Sequence, residues 1–315
     1  MSKKNMTYAP IALFTYNRAE HTKKAIESLL QNVEANDSEL FIFSDGAKNE
    51  KAIEGVKMNR EYIYAVKKQE GIAFKTVTII EREKNCGLAD NLIAGITELI
   101  NKYGRVIVVE DDLIVSPFFL KYMNDALEKY KDEHRVASIA AFLNPVDGDV
   151  PNTFFLRYFA CWGWATWKRG WDLFINDDRE LLKRLRWKKN DFNIGGMGPF
   201  YGILYCDKVG LNNSWAIRFY ASQFLAGKLQ LFPGRTMAIQ SGMDGTGTHS
   251  GFSSVYDNMK LSLTPIELED VLVEENRDMY WKFSEFYGKG QKNTFGTKFN
   301  RFKSFVRRLL GIDYR

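Results

Sequence analysis

Glu110, Asp111 and Asp112 stand in a row directly after an apolar Val-Ile-Val-Val run over 106–109. Three adjacent carboxylates repel one another unless a cation neutralises them. Hard divalent ions such as Mg²⁺ and Mn²⁺ take oxygen ligands and commonly share them with substrate phosphates. Successive side chains of a strand point to opposite faces, so at a strand end one acid can hold a metal while its neighbour holds a sugar or ribose hydroxyl. A solvated acidic turn is the plainer alternative. The buried strand before the acids favours a site, because parallel sheets bind ligands outside the carboxyl ends of their strands.

Two other segments carry chemistry. The stretch SGMDGTGTHSG over 241–251 combines backbone without side chains with Asp244 and His249. Such a loop can nest around a diphosphate, and a neutral imidazole can ligate a metal. It is no dinucleotide fingerprint, since neither the preceding strand nor the third glycine is in place. Asp244 is the candidate general base and His249 the candidate metal partner of Asp112. In CWGWATW over 161–167 the aromatic rings can stack on the apolar faces of sugars. Gly163 and Trp164 are the candidate sugar or acceptor contacts, with a packed aromatic core as the alternative. Cys86, Cys161 and Cys206 are widely spaced and form no Cys/His cluster, so the pattern indicates neither a zinc site nor a disulfide framework.

These groups need a scaffold, and the first third of the chain supplies one. Short apolar runs at 11–16, 40–44, 76–80 and 106–109 alternate with helical periodicities ending near 30, 68 and 103. Buried strands separated by helices predict a parallel sheet covered on both faces. Further on, strands are expected at 136–142 and 229–232. Helices are expected at 178–189 and 215–225, with an acidic helix after Pro265. Hydrophobic residues make up 45% of the 315 and charged residues 26%, which excludes a disordered, collagen-like or coiled-coil chain. The formal charge of +5 is concentrated in the segment 288–315, which holds eight basic residues and one acid. There Phe295, Phe299, Phe302, Val306 and Leu309 recur at helical spacing opposite basic residues. That pattern predicts a C-terminal amphipathic helix lying on an anionic membrane surface, or one docking its Phe face on the domain. Basic residues on a tail rather than on the folded domain argue against a nucleic-acid partner. The opening MSKKNMTYAP has no apolar run, which predicts a cytoplasmic protein, peripheral at most on the inner face of the membrane.

The segments YAPIALFTYNRAEHTKKAIESLL, SDG, NCGLADNL and VVEDDLIVSPFFL, in that order, resemble the GT-A glycosyltransferases. They are similar to bacterial family 2-type sugar transferases and to the N-acetylglucosaminyltransferase I branch. The resemblance covers residues 9–251. It implies a GT-A α/β fold with a mostly parallel central sheet flanked by helices. It places a nucleotide-sugar half at 1–115, an acceptor half of the same unit at 116–287, and the basic tail at 288–315. It further implies inverting, metal-dependent transfer, with Mn²⁺ or Mg²⁺ as cofactor. The donor would be a nucleotide-diphosphate sugar, a UDP-sugar being favoured, and the acceptor a glycan or lipid-linked oligosaccharide of a surface polysaccharide.

Residue by residue, the resemblance puts Thr15, Tyr16, Asn17 and Arg18 in the loop that contacts the base, and Asp45 on the base itself. Asn85, Gly87 and Asn91 fall in the ribose and phosphate segment, Glu110 and Asp111 among the nucleotide-binding acids, and Asp112 on the metal. One position departs from the pattern. Relatives carry an acid shortly after a Trp as general base, whereas this chain has Ser214-Trp215-Ala216. That departure keeps a non-catalytic glycan-binding protein open as an alternative. A sugar nucleotidyltransferase is disfavoured, because TYNR stands where its Gly-rich phosphate loop would be.

Overall fold

The computed structural model describes residues 8–69, 74–241, 256 and 259–289. Asp244, His249 and nearly all of the basic tail lie outside them. In the first third, β1 (Ile11–Thr15), α1 (Ala19–Leu30), β2 (Glu39–Ser44), α2 (Glu50–Lys68), β3 (Thr76–Glu81), α3 (Leu88–Tyr103) and β4 (Arg105–Glu110) alternate as the periodicity predicts. There follow β5 (Leu113–Val115), α4 (Phe119–Lys129), β6 (Val136–Ala140), β7 (Thr153–Leu156) and β8 (Trp164–Trp167). The chain continues through α5 (Lys168–Trp171), α6 (Asp178–Leu185), α7 (Lys189–Phe192), α8 (Phe200–Lys208), α9 (Trp215–Leu225), β9 (Leu229–Pro233) and β10 (Ala238–Gln240). A further helix covers 277–289.

Eight strands form one sheet in the order β3-β2-β1-β4-β8-β6-β9-β7. The pairs β3–β2, β2–β1, β1–β4 and β6–β9 are parallel, while β8 and β7 run against their neighbours. The pleat sends alternate residues to opposite faces. Ala12, Phe14, Phe41 and Phe43 therefore join one core with α3 and α9. Ile11, Leu13, Leu40 and Ile42 join the other, with α1 and α4. A small second sheet, β5 with β10, brings Gln240 opposite Leu113, beside the acidic row.

The structure corrects two expectations. The acidic segment after Pro265 forms no helix as far as 276; the helix starts at 277. The single helix expected over 178–189 is two pieces, α6 and α7, with Trp187 at the break. In α6, Leu181, Leu182 and Leu185 cover the core face, and the next apolar residue in the chain, Trp187, is 83% exposed.

Candidate functional site

β1 and β4 are adjacent and parallel, with Phe14 registered on Glu110. The loop after β1 and the acids after β4 therefore emerge side by side. The Asp111 amide donates to the Phe14 carbonyl at 3.0 Å, and the Tyr16 amide donates to Asp111 Oδ2 at 3.3 Å. Arg18 Nη2 donates to Asp111 Oδ1 at 2.7 Å and to Asp112 Oδ2 at 2.9 Å. The expected base-contact arginine is thus a clamp across two of the acids. Its Nη1 is buried and unpartnered among the described residues, so one charged donor is left for a ligand. Burial works against the charged Arg18, yet Asp111 and Asp112 hold its pKa above the ordinary value.

One guanidinium does not balance three carboxylates. Burial, then repulsion from Asp112 and Asp111, pushes Glu110 up to about 8. Burial pushes Asp111 up to about 6 against the pull of Arg18. Asp112 Oδ2 also accepts from Gln240 Nε2 at 3.4 Å, and the Asp112 carbonyl accepts from the Ser241 amide at 2.7 Å. Oδ1 of Asp112 makes no hydrogen bond among the described residues. No three His, Cys, Asp or Glu side chains there converge as a metal cage. The donor set suits an ion bound by one carboxylate and completed by substrate phosphates, the usual manner of Mg²⁺.

The second strand end is organised by Asp45, which is buried. Its Oδ1 accepts from the amides of Gly46 and Cys86 at 2.9 and 2.8 Å, and its Oδ2 from Asn85 Nδ2 and the Gly87 amide at 3.0 and 2.9 Å. Asp45 and Asn85, both expected at the nucleotide, here staple the 84–87 loop to the end of β2. Gly87 takes φ +80° at the start of α3, with open space where a Cβ would stand. Asn91 is buried and accepts from Arg82 Nε at 2.9 Å. Thr15 Oγ1 accepts from Asn59 Nδ2 at 3.1 Å, and Tyr16 Oη accepts from the Lys48 amide at 3.0 Å. Asn17, the remaining residue of the loop, lies against α2: a Cβ on Gly55 would stand 2.8 Å from its carbonyl oxygen.

Arg82 is a residue the sequence reading missed. It follows β3 directly and its Nη2 is buried without a partner among the described residues. The strand-end argument that singles out Glu110 applies to it equally.

Gly163 and Trp164, the expected sugar or acceptor contacts, are both buried. Trp164 is fully buried, stacked on Trp215 at 5.5 Å and edge-on to Phe159 at 5.1 Å. Gly163 has φ +68°, and a Cβ there would stand 3.2 Å from Phe119 and Ala238 side-chain atoms. Both residues pack against the core, and Trp164 Nε1 is buried without a partner among the described residues. The part-exposed ring of that motif is Trp162. It lies edge-on to Phe142 at 4.4 Å and to Tyr256 at 5.2 Å. Trp162 stands two residues before Trp164, where the register of β8 on β4 ends, opposite Val108. Burial, with the charge of Glu110 next, pushes the neighbouring Cys161 thiol up. Behind this wall Tyr158 and Tyr287 share a hydroxyl–hydroxyl bond of 2.6 Å, and Asn144 Nδ2 donates to Tyr287 Oη at 3.3 Å. Trp164→Ala is expected to cost about 3–5 kcal/mol of stability in a denaturant titration, as large core aromatics do. Trp162→Ala should change folding stability by no more than about 1 kcal/mol in the same titration.

Ala216 lies in the first turn of α9. That helix returns to β9, which is parallel to β6, so it begins at the same carboxyl edge of the sheet. The acids close to this turn are Asp207 and Asp178, 3.5 and 3.9 Å from Arg218 Nη1.

The family model described as "Glycosyl transferase family 2" matches residues 11–200. Among curated proteins none matches the chain. The matched span holds both strand ends, the acidic row and the aromatic wall, and the large sheet flanked by helices is the GT-A fold. Among the described residues no helix is long and apolar enough to cross a membrane.

Proposed function

Since the chain belongs to glycosyl transferase family 2, a family of glycosyltransferases that take a nucleotide-sugar donor and an acceptor, we propose that it transfers a hexosyl or N-acetylhexosaminyl group from a UDP-sugar. The acceptor would be a hydroxyl of a glycan or lipid-linked oligosaccharide in surface-polysaccharide synthesis, and the transfer inverting. The observation that carries this reading is the charge imbalance at the end of β4: three adjacent acids against one guanidinium, Arg18, whose Nη1 has no partner among the described residues. In this reading residues up to 115 hold the donor. Tyr16, Asn17 and the 84–87 loop border the nucleotide, Arg18 Nη1 takes an oxygen of the diphosphate, and Asp45 acts by positioning the loop. Residues 116–287 hold the acceptor against Trp162, Phe142 and Tyr256.

A divalent ion, Mn²⁺ or Mg²⁺, held by Asp112 with His249 as a second candidate ligand, would offset charge on the departing diphosphate. Asp244, which lies outside the described residues, remains the candidate base for the acceptor hydroxyl. Ala216 supports a second reading, a glycan-binding protein on the same fold that releases no nucleotide.

Calorimetric titration of UDP- and GDP-sugars, with and without Mn²⁺, tests the first reading. UDP-sugar binding is expected to require Mn²⁺. Asp112→Ala should cut UDP release by about a hundredfold or more, the scale of losing metal-borne charge stabilisation. Metal-independent donor binding that survives Asp112→Ala would remove the metal. Glycan binding with no UDP release would favour the second reading.

A further inference from the structure

We propose that the break between α6 and α7 is a docking knuckle for an anionic phospholipid surface, set beside the acceptor pocket. Lys183, Arg184, Arg186, Lys188 and Lys189 fall within seven residues around Trp187, and all five cations are exposed. None of them forms an ion pair among the described residues. Trp187 is 83% exposed, with the Arg186 guanidinium 4.3 Å over its ring. An exposed tryptophan at a helix break, flanked in sequence by cations without ion pairs among the described residues, has the chemistry of a bilayer interface. Its amphipathic ring sits at headgroup depth while lysine and arginine meet anionic lipid.

The neighbourhood favours a membrane over a soluble polyanion. A second exposed tryptophan, Trp281 at 64%, lies on the helix over 277–289. Its ring is 3.6 Å from where a Cβ on Gly195 would stand, in the loop that follows α7. That helix leads into the basic, Phe-rich sequence after Lys289. Lys189 Nζ sits 4.9 Å over the Tyr201 ring. The adjacent Phe200 packs edge-on to Tyr287 at 5.1 Å, and Tyr287 bonds Asn144 and Tyr158. The first turn of α8 thus joins the knuckle to the tyrosine pair behind Trp162, where the proposed acceptor pocket would lie. This deepens the proposed function, and rests on its lipid-linked acceptor: a protein seated on headgroups through Trp187 would hold that pocket where such an acceptor emerges.

The test uses the full chain and vesicles of phosphatidylcholine with or without phosphatidylglycerol. The protein should sediment with the anionic vesicles only, and its tryptophan fluorescence should be quenched by brominated acyl chains. Trp187→Phe should remove most of that quenching. Lys188→Ala and Lys189→Ala should each weaken binding about fivefold. Unchanged sedimentation of Lys188→Ala/Lys189→Ala, quenching that survives Trp187→Phe, or equal capture by dextran sulfate without quenching would each overturn the proposal. UDP release measured on soluble acceptor should be the same in Trp187→Phe and the parent protein. Absent release in both would sink the transferase reading while leaving the vesicle result to stand or fall alone.

Discussion

Arg18→Met is expected to lower folding stability by about 3 kcal/mol and to abolish donor binding. The substitution keeps the aliphatic stem but removes the guanidinium that bridges Asp111 and Asp112. Breaking a buried pair from one side leaves its partner charge uncompensated, at about 3–5 kcal/mol; the lower end applies because Arg18 keeps a fifth of its side-chain surface in solvent. The loss should depend on pH in a definite direction. Arg18 is the group that pulls both buried acids down; without it Glu110 and Asp111 rise further above the about 8 and about 6 they have with it. A carboxyl whose folded pKa is raised binds more protons folded than unfolded, so its penalty is full above that pKa and fades as pH falls through it. In chelator, the deficit measured by urea titration should therefore shrink between pH 8 and pH 6. Arg18→Met/Asp112→Asn should recover part of the loss at neutral pH. A variant as stable as the parent across that range would show that the clamp carries no energy.

The second large effect belongs to Asp45. Its two oxygens receive three backbone amides and one side-chain amide. Asp45→Ala strips all four bonds at once. Each buried donor left without a partner costs about 1–3 kcal/mol, and the Cys86 and Gly87 amides recover part of this by meeting water. A net loss of about 3 kcal/mol is expected, with hydrogen exchange at 85–87 accelerated far more than elsewhere in the sheet. Donor affinity should fall with it, because Asn85 and the start of α3 lose their fixed place. Asp45→Asn keeps one acceptor oxygen and should fall between the two. If exchange at 85–87 does not change, Asp45 is no staple for the loop, and its carboxylate is better read as a direct ligand of the base.

Much of the parallel part of the sheet was legible because it is built from local signals. Buried runs such as LFIFS ending in Asp-Gly announce a strand and its turn, and charged or small residues right after them fall at the carboxyl edge. What the sequence reading missed there, Arg82, obeys the same rule but stands alone rather than in a row. Its meaning depends on Asn91, nine residues away, and on a nitrogen left unpaired in three dimensions. The acceptor side was harder to read. Within CWGWATW two tryptophans stand two residues apart, and no pattern says which one a core will claim. The answer came from elements distant in sequence: Trp215, Phe159 and Phe219 surround Trp164. The positive φ of Gly163 then ends the strand and leaves Trp162 at the rim. The break at Trp187 was hidden for a similar reason, since its flanking residues all keep helical propensity and only Leu181, Leu182 and Leu185 find a core to bury in.

The antiparallel ladder between β4 and β8 has a mechanical consequence. It hydrogen-bonds 105–108 to 164–167, inside a sheet covered on both faces. Parts of a sheet welded in this way have no hinge between them and cannot close like jaws. Any shielding of a reactive sugar from hydrolysis would then come from outside this ladder, not from one part of the sheet swinging against the other.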